Sequence, residues 1–122
     1  MKDISSKYTL GREGEKIACE HLEQQGHKLL CRNYKVRGGE IDIITLDGDT
    51  LVFSEVKTRS GKKCGNAAEA VDSKKISRMC VAAERYIYEQ NLNNTAVRFD
   101  VIEVYAASPK MLVNHIKGID IN

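Results

Sequence analysis

Aromatic side chains are scarce in this sequence, which has no tryptophan, 2 Phe and 5 Tyr among 122 residues. Proteins that bind single-stranded nucleic acids stack the bases on such side chains, so the composition offers no clear stacking platform. With only 1 Pro and 9 Gly, the chain is neither collagen-like nor of low complexity. Its 42% hydrophobic and 30% charged residues are typical of a globular protein, and the length predicts a single domain over residues 1–122.

Long apolar runs are also absent. The longest uninterrupted run covers residues 79–83, and residues 1–6 contain no apolar stretch. A membrane span needs about 20 apolar residues, and a signal peptide needs an apolar region of at least about 7 residues. We therefore expect no membrane segment and a cytoplasmic protein.

The cysteines and histidines lack the spacing of a metal site. No two of the cysteines, at positions 19, 31, 64 and 80, form the Cys-x-x-Cys pair common in zinc sites. Cys19 and Cys80 fall among apolar residues in helical patterns, where a free cysteine behaves as a small hydrophobe. We expect four reduced thiols. The histidines, at positions 21, 27 and 115, are scattered, and we expect them at the surface or hydrogen-bonded.

The hydrophobic pattern predicts two helices and five strands in the order α-β-β-β-α-β-β, which defines an α/β fold. The predicted elements are a helix at 10–25, strands at 28–34, 40–46 and 50–57, a helix at 66–91, and strands at 98–106 and 112–116. Gly26 is the expected stop of the first helix. Asn66 and Glu69 resemble a capping box at the start of the second. Pro109 favours an edge position for the last strand.

The second and third strands form a predicted hairpin that carries unusual charges. Side chains alternate between the two faces of a strand, so Glu40, Asp42 and Ile44 share one face, while Ile41, Ile43 and Thr45 share the other. In the partner strand, Glu55 and Lys57 continue the apolar row of Leu51 and Phe53. Charged residues on a core-facing row are the strongest functional signal in the sequence.

The hairpin register determines which carboxylates meet. A four-residue connection is expected to pair Asp42 with Glu55, a two-residue connection to pair Glu40 with Glu55, and a three-residue loop to oppose Asp42 with Ser54. In the first two cases the carboxylates lie about 5 Å apart at Cβ and repel by about 3 kcal/mol at an effective dielectric of 20. A divalent cation would offset this repulsion, and Mg²⁺ bound by one or two carboxylates is common in phosphoryl chemistry.

Lys57 lies two residues beyond Glu55 on the same face. An ammonium beside carboxylates is favoured in its charged form, so we expect Lys57 to act electrostatically, stabilising charge on a reacting phosphate or orienting the attacking water. The alternative is that Glu40, Asp42, Glu55 and Lys57 form a solvated or salt-bridged end of the sheet.

Several motifs resemble those of the YraN-like family in the PD-(D/E)XK, or restriction-endonuclease-like, superfamily. They are GREGE at 11–15, RNY at 32–34, GEID at 39–42, FSEVKTR at 53–59, AVD at 70–72 with Lys75, and RFDV at 98–101. The likeness covers nearly the whole chain in order. The superfamily pattern has proline at the position of Ile41. This difference affects which subclass the chain resembles more than whether it binds a metal.

The resemblance implies a restriction-endonuclease-like mixed sheet of about five strands flanked by helices, in one endonuclease-like domain. It implies Asp42 and Glu55 as ligands of Mg²⁺ or Mn²⁺ and Lys57 as the catalytic lysine. It also matches Glu15 to a helix glutamate that completes the acidic cluster in Holliday-junction-resolvase-like proteins. Glu40 and Lys75 are additional candidates. From the residues alone, Glu15 is better explained as a solvated helix residue, whereas for Lys75 that explanation and a role in the site are equally good.

The formal net charge of +2 does not by itself indicate a nucleic-acid partner, but basic residues are clustered. The candidate DNA-binding residues are Arg59, Lys62, Lys63, Lys74 and Arg78, with a further cluster at Arg32, Lys35 and Arg37. Such clusters attract a phosphate backbone without reading sequence.

Three functions are compatible with these features. The leading one is a metal-dependent nuclease acting on DNA, with branched DNA favoured by family analogy. The alternative is a non-catalytic nucleic-acid-binding module with the same fold. The third is a protein-interaction domain that uses the strand at 112–116. Symmetric cutting of two strands by so small a domain would require a homodimer.

Overall fold

The computed structural model describes residues 6–60, 71–106 and 111–121, and the side chains of all of these except 6–10 and 60. The elements are α1 (Ser6–Gln24), β1 (Lys28–Val36), β2 (Gly39–Asp47), β3 (Thr50–Ser60), α2 (Ser73–Glu89), β4 (Ala96–Ala106) and β5 (Leu112–Ile116). The strands form an open sheet in the order β1-β2-β3-β4-β5. The pair β3–β4 is parallel and the other pairs are antiparallel, so the predicted α/β fold with a five-stranded mixed sheet is confirmed.

Each helix covers one face of the sheet. On the α2 side, Met79 and Tyr86 pack with Leu51 and Phe53 of β3. Burial of large apolar side chains of this kind contributes about 1.5–3 kcal/mol each. On the α1 side, a second cluster of apolar residues is buried. Its members are Ala18, Cys19, Leu22, Ile43, Ile102 and Val104.

The cysteines of the described residues are free thiols. Cys19 is buried on the α1 side, whereas Cys31 and Cys80 pack against the α2-side core. Cys64 lies outside the described residues. The longest helices of the described chain are too short or too polar to cross a membrane.

The predicted start of the second helix is wrong. Asp72 has an extended conformation, with φ −89° and ψ 176°, and its side chain accepts a hydrogen bond from the Lys75 N–H at 2.9 Å. An aspartate in this role satisfies a free N–H at the first turn, so the helix begins after Asp72 rather than running through it. The predicted capping box at 66–69 lies outside the described residues. Gly26, with φ 92°, follows α1 as expected.

The hairpin has a two-residue turn, Gly48-Asp49, and its ladder pairs Asp47 with Thr50 and Ile44 with Phe53. This is the register expected for a four-residue connection. The expectation that a two-residue connection opposes Glu40 to Glu55 is wrong, because a ladder that starts at Asp47 and Thr50 leads towards Asp42 and Glu55.

Regular alternation ends at Asp42. Ile41 packs on the α2 side with Ile44, while Ile43 packs on the α1 side, so the predicted face of Ile41 is wrong. Between the pairs Arg32–Ile43 and Tyr34–Ile41, Asn33 adopts the left-handed conformation with φ 53°. The pairing of β2 with β3 stops at Ile43 and Ser54. The strands therefore separate where the candidate carboxylates lie.

Candidate functional site

Asp42 turns its carboxylate towards β3 at the point where the two strands separate. The Val56 N–H donates a hydrogen bond to Asp42 Oδ2 at 2.8 Å. Here a side-chain carboxylate, and not a backbone carbonyl, accepts the hydrogen bond between β2 and β3. The bond holds the Asp42 carboxylate beside the backbone of Glu55, in agreement with the register expected for a four-residue connection.

Glu55 is buried on β3, with only 4% of its surface exposed. Its Oε1 atom is buried and has no hydrogen-bond partner among the described residues. Burial and the negative charge of Asp42 raise the pKa of Glu55 to about 8, although Lys75 and Lys57 act in the opposite direction. An ionised Glu55 would therefore need a further positive group close to it.

Lys75 joins the site from the first turn of α2. Its Nζ lies 3.0 Å from Glu40 Oε2 and 3.4 Å from Glu55 Oε2. Burial acts to lower the pKa of Lys75, but the hydrogen bond to Glu40 and the charge of Glu55 outweigh it and raise the pKa. The same hydrogen bond lowers the pKa of Glu40. The structure thus brings Glu40 and Lys75 into contact with the predicted site.

Glu15 approaches from α1, on the other face of the sheet. Burial and the charge of Asp42 raise its pKa, against the effects of a hydrogen bond with Asn33 and the charge of Arg32. The Arg32 Nη2 atom lies 3.8 Å from Glu15 Oε1. Glu15 is therefore near Asp42 and only partly solvated.

Gly14 explains how α1 comes so close. A Cβ atom built at Gly14 would overlap Thr58 Oγ1 of β3, so only glycine allows this helix to lie directly on the strand. The position of Glu15 beside the sheet follows from this contact.

Lys57 is half-buried on β3 and is paired in register with Glu103 of β4. It follows Glu55 by two residues on the same strand, and its charge acts to lower the pKa of Glu55. Lys57 makes no ion pair with a carboxylate of the described residues. Its ammonium is therefore available to an anion brought to the site.

The donor atoms fit a hard divalent cation with few protein ligands. Within the described ranges, no three His, Cys, Asp or Glu side chains are already close enough together to hold a metal ion. Asp42 and Glu55 are nevertheless adjacent, and Glu55 Oε1 is a buried oxygen without a partner in that part of the chain. Mg²⁺ commonly uses one or two carboxylates and takes its other ligands from water and phosphate, so this pair suffices.

The predicted DNA-binding residues have different environments. Arg59 Nε lies 3.1 Å from Oε2 of the buried Glu103, so this arginine is engaged in the fold. Lys74 is exposed on α2, and Arg78 Nη2 lies 3.9 Å from Glu40 Oε1. Lys62 and Lys63 lie outside the described residues.

A groove between α1 and β1 is a feature that sequence reasoning did not find. It has a volume of about 880 Å³, and Glu15 is one of the residues that line it. The lining residues are Arg12, Glu13, Glu15, Lys16, Arg32, Asn33 and Lys35. The four-residue spacing of Arg12 and Lys16, which puts both on one helix face, was the available signal.

The three histidines meet in space, which their sequence spacing could not indicate. His21 Nε2 lies 3.1 Å from His115 Nδ1, and His115 Nε2 lies 2.8 Å from Asp100 Oδ2. His27 Nδ1 lies 2.8 Å from Thr45 Oγ1. All three are hydrogen-bonded, which is one of the two expected environments. His21 and His115 connect α1 to β5 and β4, and His27, between α1 and β1, contacts β2.

The chain is thus an α/β protein with an open mixed sheet in which carboxylates and lysines converge where the central hairpin opens. Residues 14–104 match the family described as Uncharacterised protein family UPF0102. A UPF0102 protein of Frankia casuarinae is 45% identical over 116 residues, covering 94% of this chain and 98% of that protein. One from Clostridioides difficile is 46% identical over 106 residues, covering 87% and 91%. The protein belongs to the UPF0102 family, which is the YraN-like family.

Proposed function

We propose that this protein is a metal-dependent nuclease that hydrolyses DNA phosphodiesters, with branched DNA as the favoured substrate. The observation that carries the proposal is the buried, unpartnered Oε1 of Glu55 beside Asp42. Burying one carboxylate beside a second is costly for folding, and catalytic and metal sites are where such arrangements are found. The resemblance of GEID and EVKTR to the restriction-endonuclease-like pattern supports the same function.

The side chains have distinct roles in this proposal. Asp42 and Glu55 would hold Mg²⁺ or Mn²⁺, and Glu15, on the α1 side, would complete the acidic cluster as the resemblance implies. A bound metal would supply polarisation of a phosphate oxygen and activation of water. Lys57 stabilises the negative charge that develops on the phosphate during in-line attack. Lys75 is a positioning residue, because it contacts Glu40 and Glu55 and neutralises part of their charge.

A non-catalytic nucleic-acid-binding module is the second candidate function. It is favoured by the position of Lys75, whose ammonium supplies a counter-charge to Glu40 and Glu55 without a metal ion. In that case the carboxylates are structural and the basic residues alone bind phosphate.

Cleavage assays distinguish the two functions. Labelled linear, flap and four-way-junction DNA is incubated with the protein and Mg²⁺ or Mn²⁺, with EDTA as a blank. We expect metal-dependent cutting by the wild type, and its loss by more than about 100-fold in Asp42→Asn and in Glu55→Gln, since even outer-shell changes cost 10–100-fold. Asp49→Asn is the matched control, because Asp49 is exposed in the hairpin turn.

Two results would contradict the proposed metal-dependent nuclease activity. The first is cutting that persists in EDTA or in both variants. The second is a wild type that binds the junction without cutting it, while both variants bind at least as well, which supports the binding module.

A further inference from the structure

The groove between α1 and β1 has an excess of positive charge. Four of its seven lining residues are cationic and two are carboxylates. Arg32 is near Glu15, whereas Lys16 and Lys35 make no ion pair with a carboxylate of the described residues. Both lysines are exposed, so their charges face the open groove.

The groove is continuous with the acidic site. Glu15 lines the groove together with Asn33, which lies on β1 between the residues paired with Ile43 and Ile41, the two neighbours of Asp42. Asn33 is hydrogen-bonded to Glu15 and lies opposite Asp42 where the strands lose their regular pairing. An anionic chain lying in the groove would therefore run along the part of β1 that faces Asp42.

The distribution of charge favours a polymer over a small anion. The cations come in pairs from two elements, Arg12 and Lys16 one turn apart on α1, and Arg32 and Lys35 on β1. They line an open groove instead of converging on one point. A DNA strand carries a charge at every nucleotide, so a row of cations neutralises successive phosphates.

We infer that this groove binds the phosphate backbone of one DNA strand, next to the phosphodiester at the acidic site; the position of the cut rests on the proposed function. Lys16 and Lys35 contact the phosphates. These contacts position the strand and do not read its sequence. Arg32 and Lys35 belong to the further basic cluster that the sequence indicated, whereas Arg59, Lys74 and Arg78 do not line the groove.

Binding measured in EDTA tests the groove without relying on catalysis. Fluorescence anisotropy of labelled duplex and four-way-junction DNA is recorded at several salt concentrations for wild type and for Lys16→Ala/Lys35→Ala. We expect affinity to fall roughly tenfold or more, as for the loss of charge-assisted hydrogen bonds. The slope of log affinity against log salt should fall by about 1 for each lost phosphate contact.

Two control variants show whether a loss of binding is caused by the groove, by the lower net charge or by misfolding. Lys28→Ala/Lys117→Ala removes the same charge from exposed positions outside the groove, and it should bind as the wild type does. Lys16→Arg/Lys35→Arg keeps the charge and should restore binding. Thermal unfolding of each variant confirms that the fold is intact.

The groove inference and the proposed nuclease activity can each be rejected without the other. If the wild type cuts DNA and the groove variant binds and cuts equally well, the groove inference is overturned and the nuclease stands. If the wild type never cuts but its binding depends on Lys16 and Lys35, the groove stands and the nuclease is rejected. Equal losses of DNA affinity in the groove variant and the Lys28→Ala/Lys117→Ala control, or no DNA binding by the wild type, overturn the groove inference.

Discussion

Glu55 is buried at a position where ionisation is unfavourable. Its folded-state pKa, about 8, lies above the usual value of 4.5 because of burial and the charge of Asp42. Between these two values the folded protein binds more protons than the unfolded chain. The stabilising effect of protonated Glu55 is therefore complete below about pH 4.5 and is lost as the pH rises through 8.

The first prediction concerns Glu55→Gln in EDTA. Because glutamine keeps the shape without the ionisation, the variant should gain stability relative to wild type as the pH rises from 5 to 9. Each unit of raised pKa corresponds to about 1.4 kcal/mol where the carboxylate is ionised. Urea unfolding at pH 5, 7 and 9 measures the difference. Asp49→Asn should show no such trend, and parallel curves for Glu55→Gln and wild type would contradict the prediction.

The second prediction compares adjacent lysines of α2. Lys75→Met leaves Glu40 and Glu55 without their ammonium partner and should lower the free energy of unfolding by about 1–3 kcal/mol at neutral pH. Lys74 is exposed and makes no such contact, so Lys74→Met should change stability by less than about 0.5 kcal/mol. Chemical denaturation measures both variants. Equal effects would mean that Lys75 is merely solvated.

At the scale of elements, the packing of α1 against β3 determines where Glu15 lies. Gly14 leaves no space for a Cβ atom because Thr58 fills it, whereas nothing lies within 4 Å of a Cβ at Gly11 on the same helix. The two glycines thus occupy the same helix but different surroundings.

The third prediction uses this pair. Gly14→Ala should destabilise the protein by about 1–3 kcal/mol through overpacking against Thr58. Gly11→Ala should be neutral or stabilising by up to about 1 kcal/mol, because alanine favours the helix. Thermal and urea unfolding measure both changes. A stabilising Gly14→Ala would show that α1 does not lie directly on β3.

The order of the elements could be predicted, because it depends on local patterns. The hairpin register could not be fixed, because the sequence left the loop length open and a two-residue turn was expected to give a different pairing from the one observed. The start of α2 could not, since Asn66 and Asp72 both resemble helix caps and local pattern does not choose between them. Regular alternation predicted the wrong face for Ile41. The irregularity at Asp42 depends on the left-handed Asn33 of a neighbouring strand.

At the scale of the whole molecule, the features missed by sequence reasoning join distant segments. His21 and His115 meet although they are far apart in the chain, and the groove forms only when α1 lies beside β1. Within the candidate site, Asp42, Glu55 and Lys57 followed from the hairpin pattern. The contact of Lys75 with Glu55 and the nearness of Glu15 to Asp42 depend on how both helices pack against the sheet.

The central claim is that Asp42 and Glu55 together bind one divalent cation. Titration with Mn²⁺, followed by electron paramagnetic resonance of the free ion, measures this directly and without a nucleic acid. We predict one saturable Mn²⁺ per chain in the wild type and in Asp49→Asn, competed by Mg²⁺ and lost in Asp42→Asn and Glu55→Gln. No saturable binding by the wild type, or binding that survives in both site variants, would contradict the claim.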